Sequence, residues 1–278
     1  MEIDRKALES VKAAADSILI NELKSFYLLG DTDEYDDFEP SKINLSACTE
    51  FELYKVGCCV YAGYKIDENE EKAFQLWEKA VEAGQPDAMI ELSAKNFLDG
   101  KDKEGFNYLL NSANKGNQLA QFRISVCYFL GKGIEVNPEK GFAIIQKLAE
   151  KKFPNAVYML GSFYFNDDTL VQKDVKKGWT MIKQAADLGS PFAQYEVAIQ
   201  MFTQKPEKEK LKEVIKLMEK AADGGDLRAL YILSLIYAKG EGVQVDLKRA
   251  MSYLAQSFDG GFPLAVELMD KIKESAGE

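Results

Sequence analysis

The chain has 278 residues, a formal net charge of −10 and no histidine. The acidic balance argues against nucleic acid and anionic membranes as partners, because binding to phosphate groups needs clustered lysine and arginine. The lack of histidine removes most nucleophilic triads, histidine general bases and most zinc sites. We therefore predict a protein that is not an enzyme and that has no catalytic, cofactor-binding or metal-binding residue.

The first predicted unit is an N-terminal cap over residues 1–43. Residues 5–29 have apolar side chains at a helical period and stop at Gly30, which predicts one long helix. This helix either covers the first repeat or binds a partner by itself. Six of the nine residues in the segment 31–39 are acidic. That segment lacks the ligand order of a calcium loop, so it is either a solvated loop or a site that attracts a basic partner.

Residues 44–261 form the second predicted unit, an array of similar segments. The segments are 32 to 37 residues long, and this period is typical of a solenoid of helix pairs. Glycine ends most of the predicted second helices, whereas Lys152 stands at that place in one copy. The predicted first helices contain alanine near their start, at Ala88, Ala120, Ala156, Ala193, Ala229 and Ala265. We expect about fourteen helices and no strand, with residues 262–278 as a C-terminal capping helix.

The copy at 226–261 carries the clearest motif. Its first helix and turn follow A-x-Y-x-L-[GS]-x-x-Y-x-x-G-x-G-V, and its second helix contains D-x-x-[KR]-A; other copies add A-A-x-x-G. This pattern resembles the Sel1-like repeat family, an α/α solenoid related to tetratricopeptide repeats. The resemblance runs from about Ala47 to the C-terminus and is weakest at 85–116 and 190–225. It implies an all-α, right-handed superhelix that binds proteins on its concave face, with no catalytic residue.

Small residues follow a regular spacing in the first helices. We count the helix-opening alanine as position one. Position six is then small in most copies, for example Gly161 and Ser234. A small side chain lets a second helix approach closely, so both residues are predicted to be packing positions.

Aromatic residues occupy two further positions of the first helices. By resemblance to the tetratricopeptide register, positions three and ten face the inner curve, where aromatic side chains offer large contact areas to a peptide. The tyrosines at position three are either such anchors or structural residues, and core packing is favoured for the phenylalanines. The candidate partner-binding residues are Phe122, Tyr158, Tyr195, Tyr231, Phe165 and Phe202.

The four cysteines lack the regular pairing of a disulfide framework. Cys58 and Cys59 are adjacent, and Cys48 and Cys127 have no equivalent partners in other copies. The N-terminus has no visible signal peptide, and no apolar run is long enough to span a bilayer. We therefore expect reduced thiols in a monomeric, cytoplasmic protein.

Two functions remain open. The first is a protein–protein interaction scaffold, or adaptor, that binds a partner protein or peptide along its concave face. The second is a cytosolic inhibitor, of the immunity type, that neutralises a single basic toxin or effector.

Overall fold

The computed structural model describes residues 37–165, 170–204 and 207–276. In these residues the chain forms thirteen α-helices, and no strand occurs among them. A short 3-10 helix at Pro40–Lys42 precedes the first α-helix. The helices are α1 (Glu50–Ala62), α2 (Glu70–Glu82), α3 (Pro86–Leu98), α4 (Asp102–Asn114), α5 (Gln118–Leu130), α6 (Pro138–Glu150), α7 (Pro154–Phe163), α8 (Val175–Asp187), α9 (Pro191–Thr203), α10 (Lys208–Asp223), α11 (Leu227–Lys239), α12 (Leu247–Asp259) and α13 (Pro263–Ala276).

The helices pack in chain order. Each odd-numbered helix from α1 to α11 is the first helix of a copy and packs against the second helix that follows it; each second helix then packs against the next copy. This arrangement confirms the predicted all-α solenoid. The predicted helix at 5–29 and most of the acidic segment 31–39 lie outside the described residues.

Two local signals begin most of the helices. Four first helices begin at a proline, whose missing N–H would have no partner in the first turn. Four second helices begin after an asparagine or aspartate whose side chain accepts the backbone N–H three residues later. These N-cap residues are Asn69, Asn137, Asp174 and Asp246.

Glycine is required at the turn between α11 and α12. Gly240 and Gly242 have φ values of 73° and 77°, in the left-handed region that other residues avoid. A Cβ on Gly242 would also collide with Leu211 of α10, in the preceding copy. The second glycine of this turn therefore allows one copy to approach the previous one closely.

Three of the four phenylalanines at position ten pack against glycines in the second helix of the same copy. A Cβ built on Gly178, for example, would lie 2.9 Å from Cε2 of Phe165. The copy with Ala238 at position ten has Ala250 at the glycine position. In these copies glycine accompanies each phenylalanine and alanine accompanies Ala238, whereas the copy 190–225 has Val214 with Phe202. The pairs are Phe97–Gly105, Phe129–Gly141 and Phe165–Gly178.

The small residues at position six are buried, as the sequence predicts. A Cβ on Gly161 would lie 3.1 Å from both the carbonyl oxygen of Gly178 and Cβ of Met181, in α8. Ser234 is also buried, and its hydroxyl donates a hydrogen bond to the carbonyl oxygen of Tyr231 at 2.7 Å. Position six is therefore a packing position.

All four cysteines are free thiols, and Cys58, Cys59 and Cys127 are buried. Burial raises the pKa of the Cys127 thiol to about 12, which keeps it protonated and unreactive at neutral pH. Within the described residues, no helix has both the length and the apolar character needed to cross a bilayer.

Candidate functional site

The aromatic residues at position three connect successive copies. Each ring contacts a residue at the start of the next first helix, so the row fills the spaces between neighbouring copies. Three of these contacts join two rings, and the fourth places an arginine over a ring. The ring-centroid distances are 5.7 Å for Phe122–Phe153, 6.0 Å for Tyr158–Phe192 and 5.5 Å for Tyr231–Phe262, and Cζ of Arg228 lies 4.0 Å from the ring centroid of Tyr195.

The residues of this row differ in their exposure to solvent. Phe122 is fully buried, and Tyr158 keeps only 9% of its surface exposed. Burial raises the pKa of the Tyr158 hydroxyl to about 12. Both residues are therefore part of the core in this structure. Tyr195 and Tyr231 are only partly buried and keep surface that a partner could contact.

The two candidate phenylalanines at position ten are half-buried. Phe165 packs against Gly178 and also meets Trp179 edge-on, at a centroid distance of 5.5 Å. Phe202 packs at the edge of the core formed by α9 to α12. Both rings contribute to the packing around them, in agreement with the preference for core that the sequence suggests.

An ionic cluster that the sequence analysis did not identify surrounds Tyr195. Asp226 is fully buried and caps α11 by accepting the backbone N–H groups of Arg228 and Ala229, at 2.9 and 3.2 Å. The same carboxylate accepts hydrogen bonds from Nη2 and Nε of Arg228 at 2.6 and 3.1 Å. Nη1 of Arg228 donates to Oε1 of Glu196 in the preceding copy at 2.9 Å. The guanidinium is therefore held in one orientation over the ring of Tyr195.

Electrostatics keep this cluster charged. Burial alone would lower the pKa of the Arg228 guanidinium, but Asp226, together with Tyr158 and Glu196, outweighs burial and raises that pKa. Burial raises the pKa of the Tyr195 hydroxyl, so this group stays neutral and can donate a hydrogen bond. The cluster offers a fixed aromatic surface with polar edges, which suits binding. The signal in the sequence was the charged pair Asp226 and Arg228 directly before the opening alanine.

A second polar cluster fastens α11 to α12. The hydroxyl of Tyr237 donates to Oε1 of Glu219 at 2.9 Å and accepts from Nη1 of Arg249 at 2.7 Å. The guanidinium of Arg249 lies 4.7 Å from the ring centroid of Tyr237. Equivalent lysines lie over the equivalent tyrosines in two other copies. The pairs are Lys140–Tyr128 and Lys177–Tyr164, at 5.8 and 4.2 Å.

These repeated contacts give the D-x-x-[KR] motif a structural role. The acidic or amide residue caps the second helix, and the basic residue three positions later lies over the tyrosine of the first helix. The contact of Arg249 with Tyr237 is thus part of the fold of its copy, and Glu219 of α10 links it to the preceding copy. Among the described residues, no group of three or more acidic or cysteine side chains could hold a metal ion.

Comparison with known protein families finds repeats in most of the array. A model of the family described as "Sel1 repeat" matches more than half of the chain. The helices α3 and α4 lie between the first two matched segments, and they form a packed pair like the others. The matched residues are 53–85, 118–153, 154–190, 191–226 and 227–262.

Two mammalian relatives have related sequences. The rat protein "DAP3-binding cell death enhancer 1" is 26% identical over 202 residues, which covers 70% of this chain and 39% of the relative. The mouse protein of the same name is 25% identical over 167 residues, which covers 60% of this chain and 32% of the relative. The chain therefore spans less than half the length of these relatives.

Solved structures of repeat proteins are also similar. A Sel1 repeat protein from Oxalobacter formigenes has a TM-score of 0.50 and 24% identity, with 82% of this chain and 67% of that chain covered. A protective antigen from uropathogenic Escherichia coli, c5321, has a TM-score of 0.47 and 20% identity, over 84% of this chain and 52% of that chain. The first of these likenesses concerns the fold alone.

Proposed function

The chain belongs to the Sel1 repeat family, and from this premise we propose that it is a non-catalytic scaffold for protein–protein interaction. The proposed site is the concave face, where Tyr195 and Tyr231 anchor a protein or peptide partner. The proposal places the protein in the cytoplasm as a monomer. The mammalian relatives are named for binding DAP3, which supports a protein as the type of partner.

The observation that carries this proposal is the partial exposure of two tyrosines at equivalent positions in consecutive copies. Arg228 holds the ring of Tyr195, and Phe262 packs against the ring of Tyr231 at a centroid distance of 5.5 Å. Aromatic anchors that are already fixed lose little conformational entropy when a partner binds. Their hydroxyl groups can also hydrogen-bond an extended peptide backbone.

The second candidate function, inhibition of one basic toxin or effector, is favoured by the outer surface of α2. A cleft of about 470 Å³ is lined there by Glu70, Glu71 and Glu78 around the ring of Phe74. The ammonium group of Lys95 lies 4.7 Å from the centroid of this ring. A ring that already accepts a lysine of its own chain can accept a basic side chain of a partner.

The test is affinity purification of the full chain from cells, followed by mass spectrometry and thermal unfolding of each variant. Truncation of an interface anchor typically costs about 2 kcal/mol of binding free energy. We expect Tyr195→Ala and Tyr231→Ala to reduce partner capture, while Tyr195→Phe tests the hydroxyl alone. The matched control is Tyr253→Ala, which truncates a half-buried tyrosine on the second helix α12.

The pattern of partners separates the two functions. Several partners of moderate affinity, lost in both tyrosine variants, would support the scaffold. One near-stoichiometric basic partner that is released by Glu71→Gln and Glu78→Gln would support the inhibitor. Unchanged capture by both tyrosine variants would reject the concave site.

A further inference from the structure

A groove with a volume of about 590 Å³ runs between the second helices α8 and α10. The first helix α9 lies between them and contributes Val197 to the lining, and Leu217 of α10 and Leu188 add further apolar surface. Val197 follows Tyr195 by two residues, which is about 200° around a helix. The groove is therefore separate from the tyrosine row, and both sites can be occupied at once.

One side chain in the lining of the groove is smaller than its equivalents in other copies. Val197 occupies position five of its copy, where other copies have leucine or isoleucine. Each of those side chains contains one more carbon atom than valine does. The shorter side chain in α9 therefore adds a little to the space of the groove. The equivalent residues are Leu92, Ile124, Leu160 and Leu233.

A buried amide also lines the groove. Gln194 is only 8% exposed, and its Nε2 donates to the carbonyl oxygen of Ala186 at 3.4 Å. Its Oε1 accepts no hydrogen bond from any described residue. This oxygen reaches solvent, so a donor from an occupant can bond to it.

The charge around the groove is positive, although the chain as a whole is acidic. The helices α8 and α10 together contain eight lysines and five acidic residues, against a net charge of −10 for the chain. Lys183 and Lys220 lie on opposite sides, and Asp187 is the one carboxylate in the lining. The carbonyl oxygen of Ala186, near the end of α8, already accepts from Gly189 and Gln194, which weakens the negative end of that helix.

We propose that this groove binds a segment of a partner protein in which an apolar side chain is flanked by acidic residues. The apolar side chain contacts Val197 and Leu217, and the carboxylates pair with Lys183 and Lys220. A backbone N–H of the segment donates to Oε1 of Gln194. The groove thus adds a second docking surface of opposite charge preference to the acidic surface of α2.

The test uses the full chain and a fluorescein-labelled peptide, Gly-Glu-Asp-Leu-Leu-Asp-Glu-Gly, with binding measured by fluorescence anisotropy. We expect a dissociation constant of about 10–100 μM, which is typical of a short flexible peptide in a shallow site. Val197→Leu narrows the apolar part of the groove by one methylene, with the side chain that three other copies carry. It is expected to weaken binding at least about tenfold, because one methylene in a pocket has an effect of this size. Thermal stability should stay equal or rise.

Charge variants test the lysines on the two sides of the groove. Lys220→Glu should weaken binding about fivefold to tenfold, and added salt should reduce this difference. Lys176→Glu is the matched control, since it makes the same change in net charge on an exposed part of α8 outside the lining. Tyr195→Ala should leave peptide binding unchanged, which separates this proposal from the concave site.

Three results would overturn the proposal. The first is a wild-type dissociation constant above about 1 mM for the acidic peptide. The second is equal binding of a peptide in which lysines replace the acidic residues. The third is unchanged binding by Val197→Leu, since the proposed apolar side chain of the segment contacts Val197 directly.

Discussion

The neighbouring copies 190–225 and 226–261 hold a helix pair together in different ways. In 226–261, Asp226 and Asp246 cap the two helices with their side chains, and Arg249 lies over Tyr237. In 190–225, neither N-cap residue bonds its own helix with its side chain, and Ser190 instead donates to Oδ1 of Asn155 in the preceding copy. Its second helix, α10, is also longer, with 16 residues against 13 for α12.

Both copies nevertheless share one core. Ala198, Val214 and Met218 of the first copy pack in the same buried cluster as Leu230 and Leu233 of the second. This difference shows that the family motif supplies polar contacts at the ends of helices. The interior requires only apolar side chains of suitable size. A copy with few motif residues is held by its neighbours, as expected for a solenoid.

The largest effect is expected at Gly242, in the turn between α11 and α12. Gly242→Ala places a side chain at a φ of 77° and against Leu211, so it should lower the free energy of unfolding by about 2–4 kcal/mol. Gly261→Ala is the control, because its φ is 73° but no atom lies within 4 Å of the added Cβ. It should cost about 1 kcal/mol. Urea unfolding measures both, and equal costs would show that contact with the preceding copy is unimportant.

The next effect concerns the junction between the copies. Arg228→Met leaves the carboxylate of Asp226 buried without its cation, which should cost about 2–3 kcal/mol after allowance for the partial exposure of the arginine. Arg249→Met removes a cation that is 54% exposed and lies 3.9 Å from Glu219 of the preceding copy. It should cost at most about 1 kcal/mol. Chemical unfolding at neutral pH compares the two, and a larger cost at Arg249 would reverse our ranking.

A smaller effect, confined to alkaline pH, is expected at Tyr158, the buried tyrosine of the row. Because the folded-state pKa of Tyr158 is raised from 10.0 to about 12, its contribution is complete below pH 10 and disappears as pH rises through 12. Wild type should therefore lose on the order of 1–2 kcal/mol relative to Tyr158→Phe across this range. Thermal unfolding from pH 7 to pH 12 gives the difference. Parallel curves would mean that the hydroxyl is solvated in the folded state.

The smallest effect is expected at Lys152, the lysine that ends the second helix of its copy. Lys152 has a φ of 59°, whereas Gly189 and Gly225 have φ values of 95° and 85° at the same place. Lys152→Gly should raise stability by about 0.5–1 kcal/mol, since relief of the left-handed conformation exceeds the added entropy of the unfolded chain. Differential scanning calorimetry should show a higher midpoint. A lower midpoint would mean that the lysine side chain stabilises the fold.

The sequence predicts the architecture well because the residues at helix boundaries and the repeat period are local signals. Proline, glycine and the alanine spacing locate the described helix pairs without knowledge of their contacts. The exposure of Tyr158 and Tyr195 could not be predicted in this way. Each ring is covered by the residue before the opening alanine of the next copy, which is Phe192 for Tyr158 and Arg228 for Tyr195. The exposure of each tyrosine depends on a residue of the next copy, so a pattern within one copy does not predict it.

The pairing of phenylalanine with glycine, described above for Phe165 and Gly178, limits how the copies can be recombined. A hybrid copy that joins α7 to α12 would place Phe165 against Ala250 and force overlap. The reverse hybrid, α11 joined to α8, would place Ala238 against Gly178 and leave a void. We therefore expect an exchange between these copies to be penalised when its boundary falls inside a helix pair and separates the two positions.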